Sequence, residues 1–253
     1  KRRLELSSNE VRQTFARYLA LPNSLADLRY RILRPRGGRG YPLPHATTYV
    51  IETEPDAQCL VYRLSEARHY SRPKPEKEDA VLYISHHSAD LELRQDEWVR
   101  KQIPAGKGKT AFYACDVRGA GESRPDTCGE NSFLQPYGSD YFYAIHGIML
   151  NRPYVGQKTL DVLQVLRWLE AAGHSRIQIV AQGWGSLPAA FAAMYSNVVT
   201  SIRLKGALDS FHSIATSQEY QWPLSSFVPS ILNEVDLTDC YTLLKAEKDL
   251  ELL

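Results

Sequence analysis

The residues of greatest chemical interest stand between Ile177 and Tyr195. A short apolar run, Ile177-Gln178-Ile179-Val180-Ala181, leads straight into Gln182-Gly183-Trp184-Gly185, and a small-residue stretch, Leu187 to Tyr195, follows. Strand, sharp turn, helix is the arrangement that lifts a nucleophile clear of a sheet, and crowding in that turn demands small residues two before and two after it. Ala181 and Gly185 meet the demand. The central position, where a serine would attack an acyl carbon, holds Gly183, flanked by Gln182 and Trp184. Glycine has no side chain to attack with, yet it suits a turn whose backbone angle strains other residues. Ser186 is the remaining nucleophile candidate, three residues on; in the first turn of the following helix it is expected to face away from the apex.

The elements that would position this turn read as alternating strands and helices. Ala80–Ile84, Thr110–Cys115 and Ile177–Ala181 are short continuous apolar runs, as strands buried on both faces should be. Val199–Leu204 is expected as a fourth strand, and Leu250–Leu253 as the start of a fifth. Between them, Asp90–Gln102 and Lys158–Ala172 carry helical periodicity, the latter closed by Gly173. Such alternation implies parallel β/α units. Upstream, Asn9–Leu19 predicts a helix capped by Ser7 or Ser8, Arg34–Pro44 and Arg72–Asp79 read as loops, and Thr47–Glu52 with Gln58–Leu64 reads as a hairpin. The division is therefore residues 1–75, a helix and antiparallel strands packed on the same domain, and 76–253, the α/β core.

Composition narrows the function. With 30 basic and 29 acidic side chains, the chain has no excess of either sign to attract nucleic acid. No run of about 18 apolar residues predicts a membrane span. Cys59, Cys115, Cys128 and Cys240 lack metal-ligand spacing. Cys115 reads as a buried free thiol, with a Cys115–Cys128 bridge left open. The Gly119-x-Gly121 pair follows a strand but lacks the third glycine of a dinucleotide motif. No metal, nucleotide or organic cofactor is expected.

Two further segments complete a pattern. Asp116-Val117-Arg118-Gly119-Ala120-Gly121-Glu122-Ser123 follows one strand, and Ser85-His86-His87-Ser88-Ala89-Asp90 follows the strand before it. With the Gly183 turn, these resemble the α/β hydrolases, in particular their acetyl-xylan-esterase-like branch, over roughly Val81 to Leu253. The resemblance implies an α/β-hydrolase fold: a mostly parallel central sheet, helices on both faces, and an antiparallel N-terminal edge. It places an oxyanion loop at Ser85–Asp90 and implies Asp209 as the candidate acid. His86, His87, Trp184 and Asp209 are the substrate-binding candidates. The family carries its catalytic histidine in a later segment; His212 is the last histidine here, so the chain reads as a piece that stops at Leu253 before that segment. Further domains and acylated carbohydrate are the implied partners, and secretion or a periplasmic home the implied location.

Plainer roles compete for several of these residues. His86 and His87 would then hydrogen-bond loop backbone, Asp116 and Arg118 would fix their loop, and His146 would be a core or pocket-wall residue. Tyr137–Tyr143 would pack on the sheet edge rather than stack on sugars. Three functions follow: an esterase-like module that does not itself catalyse, because Gly183 replaces the serine; an active carboxylic-ester hydrolase completed by residues outside this chain; or a structural or oligomerisation domain.

Overall fold

The computed structural model describes residues 6–33, 36, 37, 39–69, 79–104, 110–125, 139–219 and 221–253. The Arg72–Asp79 loop, apart from Asp79, and Cys128 lie outside them. So do Tyr137 and residue 138 of the tyrosine-rich segment.

Nine strands of the described residues form one sheet: β1 (Arg29–Ile32), β2 (Arg36–Gly37), β3 (His45–Glu54), β4 (Ala57–Ser65), β5 (Asp79–Ile84), β6 (Thr110–Asp116), β7 (Ile177–Gln182), β8 (Val199–Lys205) and β9 (Asp249–Leu252). The order across the sheet is β1-β3-β4-β6-β5-β7-β8-β9, with β2 beside β3. From β6 through β5, β7 and β8 to β9 all neighbours are parallel, while β1, β2, β3 and β4 form the antiparallel edge. The expected hairpin is β3–β4. Two strands are additional to the expectation: β1, an alternating Arg-Tyr-Arg-Ile edge, and the two-residue β2 inside the stretch read as loop.

The continuous apolar runs are explained by two cores, one on each face. Successive residues of β5 divide between them: Leu82 and Ile84 face one, Val81 and Tyr83 the other. The first core is closed by α1 (Ser8–Tyr18), α5 (Tyr154–Ala171), α6 (Ser186–Tyr195) and α8 (Leu237–Glu247), and the second by α2 (Ala89–Gln95) and α3 (Glu97–Lys101). Two more helices among the described residues are α4 (Ser139–Met149) and α7 (Phe211–Thr216). α1 begins at Ser7, whose hydroxyl takes the Glu10 N–H while Glu10 takes the Ser7 N–H, a reciprocal cap.

The helix expected over Asp90–Gln102 is two. Asp96 adopts an extended backbone, ends α2, and accepts the N–H groups of Trp98 (2.8 Å) and Val99 (3.1 Å) to start α3. The tyrosine-rich segment is not sheet packing but a helix, α4, set against α5 and the 224–226 turn. His146 is exposed on it rather than in a core or pocket wall.

Candidate functional site

The site is built where three parallel strands end side by side. β5 runs into the Ser85–Ser88 loop, β6 into the Asp116–Ser123 loop, and β7 into a single 3-10 turn, Gly183–Gly185, before α6. Gly183 has φ +51°, the left-handed region that a side chain resists. Gly185 is needed for a different reason: a Cβ there would lie 2.4 Å from the Ser85 carbonyl oxygen and 2.7 Å from that of Ile84. α6 can lie this close to β5 and β7 because Ala189, Ala190, Ala192 and Ala193 are fully buried on it.

His86 fills the space over Gly183. A Cβ on Gly183 would meet the His86 ring at 2.5 Å from Nδ1 and 2.7 Å from Cε1. The Trp184 N–H donates to His86 Nδ1 at 3.1 Å, so this nitrogen carries no proton. Burial, and then the neighbouring His87, lowers the His86 pKa to about 4. The two imidazoles lie with centroids 3.6 Å apart, and Trp184 sets its ring edge-on to both. His86, His87, Gly183 and Trp184 are thus brought together. His87 is depressed too, by burial and by the positive charges of Lys158 and Arg124, and its Nδ1 is buried without a hydrogen bond among the described residues.

The loop's backbone donors are also occupied. The N–H groups of His86 (3.1 Å), His87 (2.7 Å) and Ser88 (3.1 Å) all point at the Glu92 carboxylate, which takes the Tyr83 hydroxyl as well at 2.6 Å. Burial raises the Glu92 pKa against these four donors. Their convergence is what an anion requires in a desolvated place; here the chain's own carboxylate supplies it.

Asp116 ties the loops together. It is fully buried, and its oxygens accept the Ala89 N–H (2.7 Å), the Ser85 hydroxyl (2.8 Å), the Tyr62 hydroxyl and the Glu122 N–H (both 3.3 Å). Burial still pushes its pKa up to about 6. Arg118 pins the same loop to α5 and β3: it is bidentate to buried Asp161, and reaches Glu54, Gln157 and Thr53. Both residues are loop fasteners, as their positions after β6 imply.

The other candidates make no hydrogen bond to His86 or Trp184 among the described residues. The Ser186 hydroxyl is buried and donates to the Gly183 carbonyl oxygen at 2.6 Å, which turns it away from the apex. Asp209 is exposed between β8 and α7, with no hydrogen bond to His86, Trp184 or Gly183 among the described residues. His212 is exposed in the first turn of α7. The buried carboxylate of this region is Asp236, unforeseen in the sequence, which accepts the N–H groups of Phe211 and Leu237 and so starts α7 and α8 together. Asp96 was likewise unforeseen; it accepts the Gln182 side-chain amide at 3.0 Å and steadies the last residue of β7. Cys59, Cys115 and Cys240 are free and buried. Among the described residues no helix is long and apolar enough to cross a membrane.

No family model and no curated protein matches the sequence. Solved structures do match the fold. A candidate acetyl xylan esterase from Bacteroides fragilis superposes with a TM-score of 0.69 at 14% identity, over 97% of this chain and 66% of the other. The acetyl xylan esterase from Paenibacillus sp. R4 gives 0.53 at 16%, over 97% and 76%. Acetyl xylan esterase 1 from a Thermoanaerobacterium species gives 0.50 at 13%, over 76% and 56%. The chain therefore spans about two thirds of the first of these, and the likeness at such identities is one of fold.

Proposed function

Because the chain has the α/β-hydrolase fold, we propose that it is an esterase-like module of a carbohydrate-active protein that does not itself hydrolyse esters. Gly183 stands at the end of β7, on the turn where this fold carries its nucleophile. The observation that carries the reading is the placement of His86. Its ring occupies the volume a nucleophilic side chain would need, and its Nδ1 takes the Trp184 N–H. That N–H belongs to the residue after the nucleophile position, one of the two donors with which the fold stabilises an oxyanion. The loop that would offer the second donor gives its N–H groups to Glu92. Nucleophile and oxyanion donors are thus both withdrawn, by different residues. The likeness to acetyl xylan esterases supports carbohydrate as the ligand class.

The test is labelling of the folded chain with a fluorophosphonate probe, read by peptide mass spectrometry, alongside hydrolysis of acetylated xylan fragments. The expected result is no serine adduct and no acetate release. An adduct on Ser186 or any other serine, or reproducible deacetylation, overturns the proposal and puts the active esterase in its place. A structural or oligomerisation role is the second reading. It is favoured by the packing of His86, His87 and Trp184 against one another at Gly183, which leaves rings where a substrate would sit.

A further inference from the structure

A cavity of about 260 Å³ opens on the antiparallel edge of the sheet, lined by Leu33, Arg39, Tyr41, Thr48, Tyr62 and Glu122. At about 30 Å³ per water it holds roughly eight waters, a volume suited to one six-membered ring with its substituents. We propose that this cavity binds a single neutral sugar ring, at a site separate from the Gly183 turn. The carbohydrate class rests on the reading above; the cavity and its chemistry do not.

Its polar groups match a neutral polyol. Arg39 and Glu122 face each other at 3.3 Å, so the site presents a donor fork and a carboxylate side by side with no net charge to select an ion. Adjacent hydroxyls of a ring can accept from the first and donate to the second. The Thr48 hydroxyl makes no hydrogen bond among the described residues and offers both functions. Tyr41, Tyr62 and Leu33 supply the apolar wall that the C–H faces of a sugar require.

The walls are also held in place before any ligand arrives. The Tyr41 hydroxyl and Arg39 (2.9 Å) both bond to Asp90, in the first turn of α2. The Tyr62 hydroxyl and the Glu122 N–H both bond to the same oxygen of Asp116. A site whose side chains are already ordered loses little freedom on binding. Since Asp116 also holds Ser85 and Ala89, the cavity is fastened to the loop that carries His86.

The experiment is titration of the chain with D-xylose, methyl β-D-xyloside and D-glucose by ligand-observed NMR and calorimetry, with unfolding midpoints as the folding control. Three variants are compared with the parent: Thr48→Trp, which fills the cavity; Thr48→Val, which keeps its shape and removes the hydroxyl; and Trp184→Ala, at the Gly183 turn. The expected result is saturable binding that Thr48→Trp weakens about tenfold or more and Thr48→Val by a few fold, with Trp184→Ala unchanged. Should Thr48→Trp not fold, Thr48→Val carries the test. Binding lost in Trp184→Ala but intact in both Thr48 variants overturns the cavity site and leaves the carbohydrate reading standing. No binding of any of the three sugars at tens of millimolar overturns the site; absence of binding to longer xylan fragments as well withdraws the carbohydrate reading and favours the structural role.

Discussion

Installing a serine at position 183 tests the central geometry directly. The backbone there has φ +51°, and a non-glycine residue in the left-handed region costs about 1–2 kcal/mol. The new Cβ would lie 2.5 Å from His86 Nδ1 and 2.9 Å from its Cγ, so the ring must move; forcing extra atoms into a packed place costs about 1–3 kcal/mol. Gly183→Ser alone should therefore destabilise by about 2–5 kcal/mol. In a His86→Ala background the ring is gone and only the backbone strain remains, about 1–2 kcal/mol. The two substitutions should thus couple by about 1–3 kcal/mol, the double variant being more stable than the sum of the single losses predicts. Urea unfolding of the four proteins, followed by circular dichroism at fixed pH, measures this coupling. Additivity within about 0.5 kcal/mol would mean that the His86 ring does not occupy the volume a side chain at 183 needs, and would overturn the proposed function that rests on it.

Gly185→Ala should cost more than Gly183→Ala, above about 3 kcal/mol or to the point of no soluble protein, because its Cβ meets the Ser85 and Ile84 carbonyl oxygens, which are backbone and cannot swing aside; recovery and unfolding midpoint read the difference. Asp161→Asn should destabilise by about 3 kcal/mol, since it takes from Arg118 the buried carboxylate that is bidentate to it; denaturant unfolding against Glu54→Gln, a half-buried partner, checks the order. Asp116 makes stability fall as pH rises: its folded pKa, about 6, lies above its ordinary 3.8, so the folded state holds the extra proton and loses on the order of 3 kcal/mol across that interval. His86 works in the opposite sense, its pKa being lowered from 6.5 to about 4, so its contribution is lost as pH falls through that range, by about 1–2 kcal/mol after allowing for partial exposure. Unfolding from pH 4 to 7 should therefore steepen on the acid side in Asp116→Asn and flatten there in His86→Ala; a parallel pair of curves would refute both assignments.

The central strands were legible because burial on both faces leaves nothing but apolar residues, and β5, β6 and β7 carry such runs. The Gly183 turn was legible for a steric reason: small residues at 181 and 185 have few other uses between a buried strand and a helix. The features that the sequence conceals depend on distant contacts. That His86 lies over Gly183 and takes the Trp184 N–H joins His86 to a residue 98 positions away, and no local pattern reports it. Glu92 looks like an ordinary helical acid, yet it turns back on the loop before its own helix. Asp96, inside an apparently continuous helical pattern, is a cap, and the periodicity on either side concealed the break. α8 carries a local signal, an Asp236-x-x-Asp239 capping box. Asp209 follows β8 on an exposed turn, while the buried Asp236 of the same region is held by the N–H groups of Phe211 and Leu237, the first a contact over 25 positions that no local pattern reports.

The His86 ring has a consequence for how readily this turn could change its chemistry. On the proposed reading, a serine arriving at 183 is pressed against the imidazole, while an imidazole lost first leaves a hollow and no nucleophile. Each step alone lowers stability: the serine arrives against a ring that must move, and the lost imidazole leaves no hydroxyl in its place. The ring behaves as a ratchet: once it has settled over the glycine, the path back requires two substitutions together, at positions far apart in the chain but touching in the fold.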